Sequence, residues 1–346
     1  MRSNAIMHPK TLSTWAALAL ATAIAGAACS SAPSGPVLPN VVATHDLDAG
    51  VHLAGIAIGK HGDVWLSTIN YGNGPSGIIH VLASGDAQRI ERPESFNRVA
   101  VDPSGVAWFT VGAGASHARP KLVRVDPSGR VRDFALPTEG DYEGIAIGPD
   151  GVPWFTDTAT GAIGRIAAND AITYYGPASG GPAEIASGSD GRLWFTETNG
   201  NSIGRLATDG TLDEFTVPTA LSRPTGIASG AAGSLWFCEA AADKIGRIAE
   251  NGKIAEFRVP TAGAWPTSIA RARDGSMWFT ELMTAKVARI SRTGSVAEYA
   301  VPGGGYPGPI AAAPDGSMWV AVNANSSASF GPTSSRSRLV RFTPQS

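Results

Sequence analysis

Seven tryptophans, Trp65, Trp108, Trp154, Trp194, Trp236, Trp278 and Trp319, recur along this chain at intervals of 40–46 residues. A period of about 40–45 residues made of strand-like segments marks a β-propeller, with one four-stranded blade per repeat. The clearest unit runs from Gly144-Ile-Ala-Ile-Gly-Pro-Asp-Gly-Val-Pro-Trp154-Phe-Thr-Asp157 through Ile163-Gly-Arg165-Ile166 to Ile172-Thr-Tyr-Tyr175. Trp194-Phe-Thr-Glu197, Trp236-Phe-Cys-Glu239 and Trp278-Phe-Thr-Glu281 restate its centre. Asp150-Gly151, Asp190-Gly191, Asp274-Gly275 and Asp315-Gly316 mark turns between first and second strands, where glycine supplies the positive φ of a tight hairpin. With 42 Gly, 24 Pro and only 16% charged residues, the composition suits many short strands and turns. The expected fold is all-β: a seven-bladed propeller of four-stranded blades.

Strand counting adds a closure argument. The last repeat ends near Leu339-Val-Arg-Phe342, which fills a third strand and leaves nothing for a fourth. The segment from Val41 to Leu47 precedes the first full repeat and has no partner of its own. It is expected to supply the outer strand of the last blade, joining the two termini and removing an open sheet edge. A blade cannot bury both faces of its sheet alone, so each second-strand tryptophan is expected to pack between blades. Full burial of such a side chain stabilises by about 2–3 kcal/mol.

Residues 1–28 read as an export signal rather than as part of the fold. Arg2 and Lys10 precede an alanine-rich apolar run from Trp15 to Ala28 that is too short to favour a permanent membrane span. Gly26-Ala-Ala-Cys29 resembles a lipoprotein processing site, with Cys29 as the lipidated N-terminus; Ala25-Gly-Ala27 and Gly26-Ala-Ala28 alternatively suit cleavage for plain secretion. Residues 29–38, rich in Ser, Pro and Gly, are expected to form a flexible tether, and 39–346 a single domain. The expected location is the periplasm or the outer membrane, the latter only through the lipid at Cys29. Cys238 sits in the strand slot held elsewhere by Thr156, Thr196 and Thr280 and is expected to be a buried, inert thiol. No CxxC or Cys/His cluster suggests zinc. Without the leader the chain carries 25 basic against 29 acidic side chains, a balance that gives no reason to expect nucleic-acid binding.

In a propeller the inter-blade loops and the loops joining second to third strands share one face, around one mouth of the channel. On that face the repeat places Asn97, Glu143, Thr267 and Gly308 near the start of the innermost strands, beside Asp141, Glu184, Arg223, Trp265 and Tyr306. No nucleophile–His–acid set emerges. The acids Asp157, Glu197, Glu239 and Glu281 recur three residues after each tryptophan, and Arg165, Arg205, Arg247 and Arg289 recur eleven after it. They are expected to form structural ion pairs across the hairpin, or loop caps. Blades seven, one and two lack the acid and carry longer loops, Asn323–Arg336, Ile69–Gly77 and Gly112–Pro120, which point to a binding edge.

The repeat Trp-Phe-Thr-Glu-x6-Ile-Gly-Arg-Ile, followed by Glu-Phe-x-Val-Pro-Thr, closely resembles the streptogramin B lyase family, also called virginiamycin B lyases. The matching stretches are Trp194 to Leu206 with Glu214 to Thr219, and Trp236 to Ile248 with Glu256 to Thr261. The resemblance implies a seven-bladed propeller. In characterised members it also implies a Mg²⁺-dependent elimination that opens a cyclic depsipeptide at its ester bond, with a histidine handling protons. The family's histidines fall on Thr267 and Gly308 here, and its glutamates on Tyr306 and Asn323. Thr and Gly cannot act as a general base near neutral pH. The expectation is therefore a monomeric, exported, lipid-anchored propeller that binds a small molecule or an envelope protein without the family's lyase activity. No cofactor is expected, save Mg²⁺ if the chain is lyase-like. The alternative is a divergent lyase or a metal-assisted lactone or ester hydrolase, using Glu143 and Glu184 with Asp141 and Asn97.

Overall fold

The computed structural model describes residues 35–69, 76–112, 119–137, 140–324 and 336–344. Seven four-stranded antiparallel sheets make up the ring. Blade 1 opens with His52–Ile58 and Val64–Ile69, blade 2 with Val99–Val101 and Ala107–Val111, and blade 3 with Tyr142–Ile147 and Pro153–Asp157. Blades 4, 5 and 6 open with Pro182–Ser187, Pro224–Ser229 and Pro266–Arg271. In each of these six the chain then runs outward through the remaining strands. Blade 7 is composite. Tyr306–Ala312, Met318–Asn323 and Arg336–Phe342 are its inner three strands, and Val41–Ala49 pairs antiparallel with the last of them as its outer strand. The leader, Cys29 and the three enlarged loops fall wholly or largely outside the described residues.

The packed chain begins earlier than the expected boundary at residue 39. Leu38 N–H donates to the Ala300 carbonyl and Ala300 N–H to that of Pro36, both at 2.9 Å, which ties residues 36–38 to the outer strand of blade 6. Leu38 is buried among Trp278, Val301 and Phe342. An apolar side chain next to an unpaired strand edge gains burial there while the backbone around it gains hydrogen bonds.

The core is distributed around the ring as seven clusters. Each joins one blade's tryptophan to the next blade's sheet: Trp154 to Ile185, Leu193 and Phe195, Trp194 to Ile227, Leu235 and Phe237, and Trp319 of blade 7 to Leu53, Val64 and Leu66 of blade 1. Hydroxyl hooks reinforce several joints near the channel. The Thr156 hydroxyl accepts from Gly144 N–H at 2.8 Å and donates to the Ala183 carbonyl of blade 4 at 2.6 Å. Thr110 donates to the Glu143 carbonyl at 2.7 Å, and Ser67 to that of Asn97 at 3.1 Å. In blade 5 the slot holds Cys238, fully buried, with burial pushing its thiol well above the ordinary range. Innermost strands approach so closely that a Cβ on Gly144 would lie 2.3 Å from the Ala183 carbonyl oxygen.

The family motif Val-Pro-Thr…Glu-Phe proves to be a second inter-blade clasp. Thr219 donates its N–H and hydroxyl to Glu256 of the next blade, both at 2.8 Å, and Thr261 does the same to Glu298 at 2.9 and 2.6 Å. Lys244 and Lys286 complete these clasps through ion pairs with Glu256 and Glu298 at 2.7 and 3.0 Å.

The blade 7–blade 1 joint has its own fastening. The Asn323 side chain accepts from Leu53 N–H at 2.7 Å and donates to the Leu53 carbonyl at 3.1 Å. Ser337 donates to the Val51 carbonyl at 2.6 Å. Replacing Asn323 by Ala leaves both buried Leu53 groups unpaired, at a cost of about 1–3 kcal/mol each before relaxation. The Asn323→Ala variant is expected to unfold at a lower urea midpoint with an unchanged m-value, as measured by circular dichroism.

Candidate functional site

The acids and arginines of the repeat do not pair with each other. The hairpin registers Trp154 opposite Arg165, Trp194 opposite Arg205, Trp236 opposite Arg247 and Trp278 opposite Arg289. A residue three along from the tryptophan points to the other face, because strand side chains alternate. The guanidinium lies instead over the tryptophan ring, 5.7 Å from the centroid for Arg165, 5.3 Å for Arg205 and 5.4 Å for Arg247. Its carboxylate partner, where there is one, lies elsewhere: Asp150 for Arg165 at 2.7 Å, Asp213 for Arg205 at 2.6 Å and Asp274 for Arg289 at 2.7 Å.

Asp157, Glu197 and Glu281 serve the loops. Asp157 accepts from the N–H groups of Asp141 and Ala159 at 2.9 and 3.2 Å and from the Thr160 hydroxyl at 2.6 Å. Glu197 accepts from Gly180 N–H at 3.1 Å and Ser202 at 2.6 Å, and Glu281 from Thr284 at 2.7 Å. Burial, followed by the neighbouring carboxylate Glu256, pushes Glu239 up to about 7. Burial raises Glu281 to about 8, with Glu298 nearby and the Thr284 hydrogen bond opposing the shift. These carboxyls stay largely protonated in the folded chain where an exposed glutamate is ionised.

A cavity of about 370 Å³ opens at the face where inter-blade loops meet the loops after the second strands, and every blade contributes to its wall. Of the residues expected there, Glu143, Glu184, Arg223, Trp265, Thr267, Tyr306 and Gly308 line it. Asn97 and Asp141 do not. Asn97 is buried and donates to the Tyr142 carbonyl at 2.7 Å, in the joint between blades 2 and 3. Asp141 lies by the same joint, with burial and then the Asp157 charge raising its carboxyl above the usual range.

The wall has two halves. Blades 2 to 4 present charge: Arg98 donates from Nε to Glu184, and from Nη1 to the Ala54 carbonyl of blade 1 at 2.9 Å. Arg98 and Glu184 occupy equivalent repeat positions, each donating its backbone N–H to the second-strand threonine hydroxyl, at 3.1 and 3.2 Å. Gly144 holds that position in blade 3 between them, so the pair reaches past a residue with no side chain. Sequence reasoning missed Arg98; the available signal was a charge at a repeat position that is Gly55, Gly144 or Gly226 in alternate blades. Blades 5 to 7 present Arg223, Trp265, Met283, Tyr306 and Ile310. Burial raises the Tyr306 hydroxyl, and burial lowers His52, at the blade 1 edge of the wall, to about 4. Such an imidazole is neutral and weakly basic at pH 7.

The donor set does not fit a magnesium ion. Tyr306, Thr267, Gly308 and Asn323 supply no carboxylate, both amide atoms of Asn323 are engaged by Leu53, and Glu184 is neutralised by Arg98, so that Glu143 is the other carboxylate of the described wall and too little for a hard cation. Among the described residues no three His, Cys, Asp or Glu side chains gather as a metal site.

The sequence profile of the virginiamycin B lyase family matches residues 42–330. This chain belongs to that family. A catalytically inactive histidine-to-alanine variant of virginiamycin B lyase from Staphylococcus aureus, solved with quinupristin, is 29% identical; the match covers 88% of this chain and 99% of that one with a TM-score of 0.76. A streptogramin B lyase structure is 30% identical over 87% of this chain and 97% of its own, with a TM-score of 0.75. Hydrazine synthase from Kuenenia stuttgartiensis, at 15% identity and a TM-score of 0.65, shares the fold. A comparison with curated proteins gives no match.

The buried acids set a pH dependence. Glu239 and Glu281 hold their protons more tightly folded than unfolded, where an ordinary glutamate titrates near 4.5. Their contribution to stability is complete below about pH 4.5 and is lost as pH rises through about 7 and 8. Replacing Glu281 by Gln removes part of that loss. With about 1.4 kcal/mol per displaced pKa unit, the variant should gain up to about 4 kcal/mol over the parent at pH 8 relative to pH 5. Thermal melts across that range check it.

Proposed function

We propose that this protein is an exported, lipid-anchored member of the family that holds a small ligand in its central cavity and does not perform the ring-opening elimination. One observation carries the reading: Thr267 and Gly308, where the family resemblance puts histidines, lie in the cavity wall. Elimination at the ester needs a base to remove a proton, and neither residue can accept one at neutral pH. Among the described residues of the wall the imidazole is His52, which is too weak a base. The relative solved with quinupristin is a histidine-to-alanine variant named as catalytically inactive, which supports a wall that binds without turnover.

Gly308 bears on how readily the old chemistry could return. A Cβ there would stand 3.3 Å from Asn323 Nδ2 and 3.5 Å from the Ala321 carbonyl, against the seam that closes the ring. A histidine at this position presses on a structural joint. The Arg98–Glu184 pair likewise withdraws one of the two acids that a metal-assisted hydrolase would use.

Export and anchoring rest on Arg2, Lys10, the apolar run to Ala28 and Cys29. Incubated with a streptogramin B antibiotic and Mg²⁺, the chain is expected to give no product of equal mass and shifted chromatographic retention. Formation of that product would show that the lyase chemistry survives. In cell fractionation the parent is expected with membranes and a Cys29→Ala variant in the soluble or secreted fraction; identical distributions would remove the anchor.

A further inference from the structure

Two residues of the cavity wall adopt a backbone that their side chains disfavour. Arg223 has φ 54° and Trp265 has φ 53°, both in the left-handed region. They occupy one repeat position, immediately before Pro224 and Pro266, where those prolines face Glu239 and Glu281 across the first hairpin. Blade 4 fills the same position with Gly181, at φ 70°, before Pro182. Glycine adopts this conformation without a Cβ penalty, whereas other L-residues are strained in it. Blades 5 and 6 thus keep a long cation and a large ring at a position suited to glycine.

Neither side chain repays that strain within the protein. Each blade tryptophan lies against another ring, as Trp154 does on Tyr175 and Trp236 on Phe257. Trp265 has no ring partner, and the Arg223 guanidinium has no ion pair or side-chain hydrogen bond, among the described residues. Both are half-buried and both line the cavity. The other guanidinium in the wall, Arg98, is already neutralised by Glu184.

We propose that Arg223 and Trp265 form a recognition pair for an aromatic carboxylate, the guanidinium holding the anion and the indole stacking on the ring. A guanidinium presents a planar fork that matches a carboxylate in a bidentate fashion. An indole in a partly dry wall is suited to a flat ring. A single unneutralised cation fits a single negative charge better than a doubly charged phosphate, for which Arg98 is not available. The cavity volume lies in the range of small-molecule sites. This assignment rests on the ligand-binding reading of the cavity and adds the class of ligand to it.

The test is isothermal titration of the full chain with three probes: 2-naphthoate, its uncharged analogue 2-naphthamide, and cyclohexanecarboxylate. Saturable binding of 2-naphthoate is expected, at least about tenfold tighter than either other probe. Arg223→Gln should abolish the preference for acid over amide while leaving naphthamide affinity unchanged. Trp265→Leu should weaken naphthoate and bring it level with cyclohexanecarboxylate. Arg223→Gly should melt no lower than the parent, since glycine suits the backbone there, and should also lose the acid preference. Equal affinity for acid and amide in the parent, or a preference that survives Arg223→Gln, overturns the pair yet leaves the cavity a binding site. A marked fall in the melting temperature of Arg223→Gly assigns Arg223 a structural role and also overturns it. No saturable binding of the three probes, or of a streptogramin B antibiotic, overturns the ligand-binding reading along with it.

Discussion

No blade of this molecule contains a complete core. Each second-strand tryptophan is buried against the sheet of the following blade, so the apolar free energy of folding resides in the joints between repeats. Seven such joints exist because the chain closes on itself, and the last joins Trp319 to the first blade. Val41–Ala49 is therefore more than an added strand. By completing blade 7 it gives the ring's final sheet an outer edge while Asn323 and Ser337 fasten the inner side. Leu38 extends the closure by one further apolar plug against blade 6.

Three tiers of polar bonds refine these apolar joints. Near the channel, second-strand hydroxyls hook the backbone of the next innermost strand. At the periphery, Thr219 and Thr261 clasp Glu256 and Glu298 of the following blade, with a lysine neutralising each carboxylate. Between them sit acids such as Glu281, buried beside the clasp and driven toward the neutral form. Two carboxyls so close cannot both ionise cheaply, and the one held by Lys and Thr keeps the charge.

The tryptophan period made the fold legible, and the count of strands made the composite last blade legible, because both follow from chain length and edge satisfaction alone. The cavity wall was legible for the same reason: Glu143, Glu184, Arg223, Trp265 and Tyr306 sit at repeat positions that topology brings to one mouth. What a linear pattern could not supply was reach and direction. The acid and arginine of each repeat looked like partners by spacing, but strand alternation gives Arg165 the ring of Trp154 and sends Asp157 to the other face. Arg98 finds Glu184 across an intervening blade, where Gly144 stands at the equivalent position. Asn323 matched a family glutamate in sequence, yet its amide is committed to Leu53.

The hydroxyl hooks have a consequence for how such a protein changes over generations. Thr110 and Thr156 fasten one blade to the next through the carbonyl oxygens of Glu143 and Ala183, which every amino acid possesses. That fastening does not use the side chains of Glu143 and Ala183, whereas Asn97 and Thr225 in the same slot add bonds of their own to the Tyr142 and Pro266 carbonyls of the next blade. Glu and Ala can therefore succeed one another at the hooked positions while the ring stays assembled. Selection on the chemistry of the cavity is thereby largely separated from selection on folding, so the residues that face the cavity at the hooked positions can change while the propeller stays intact.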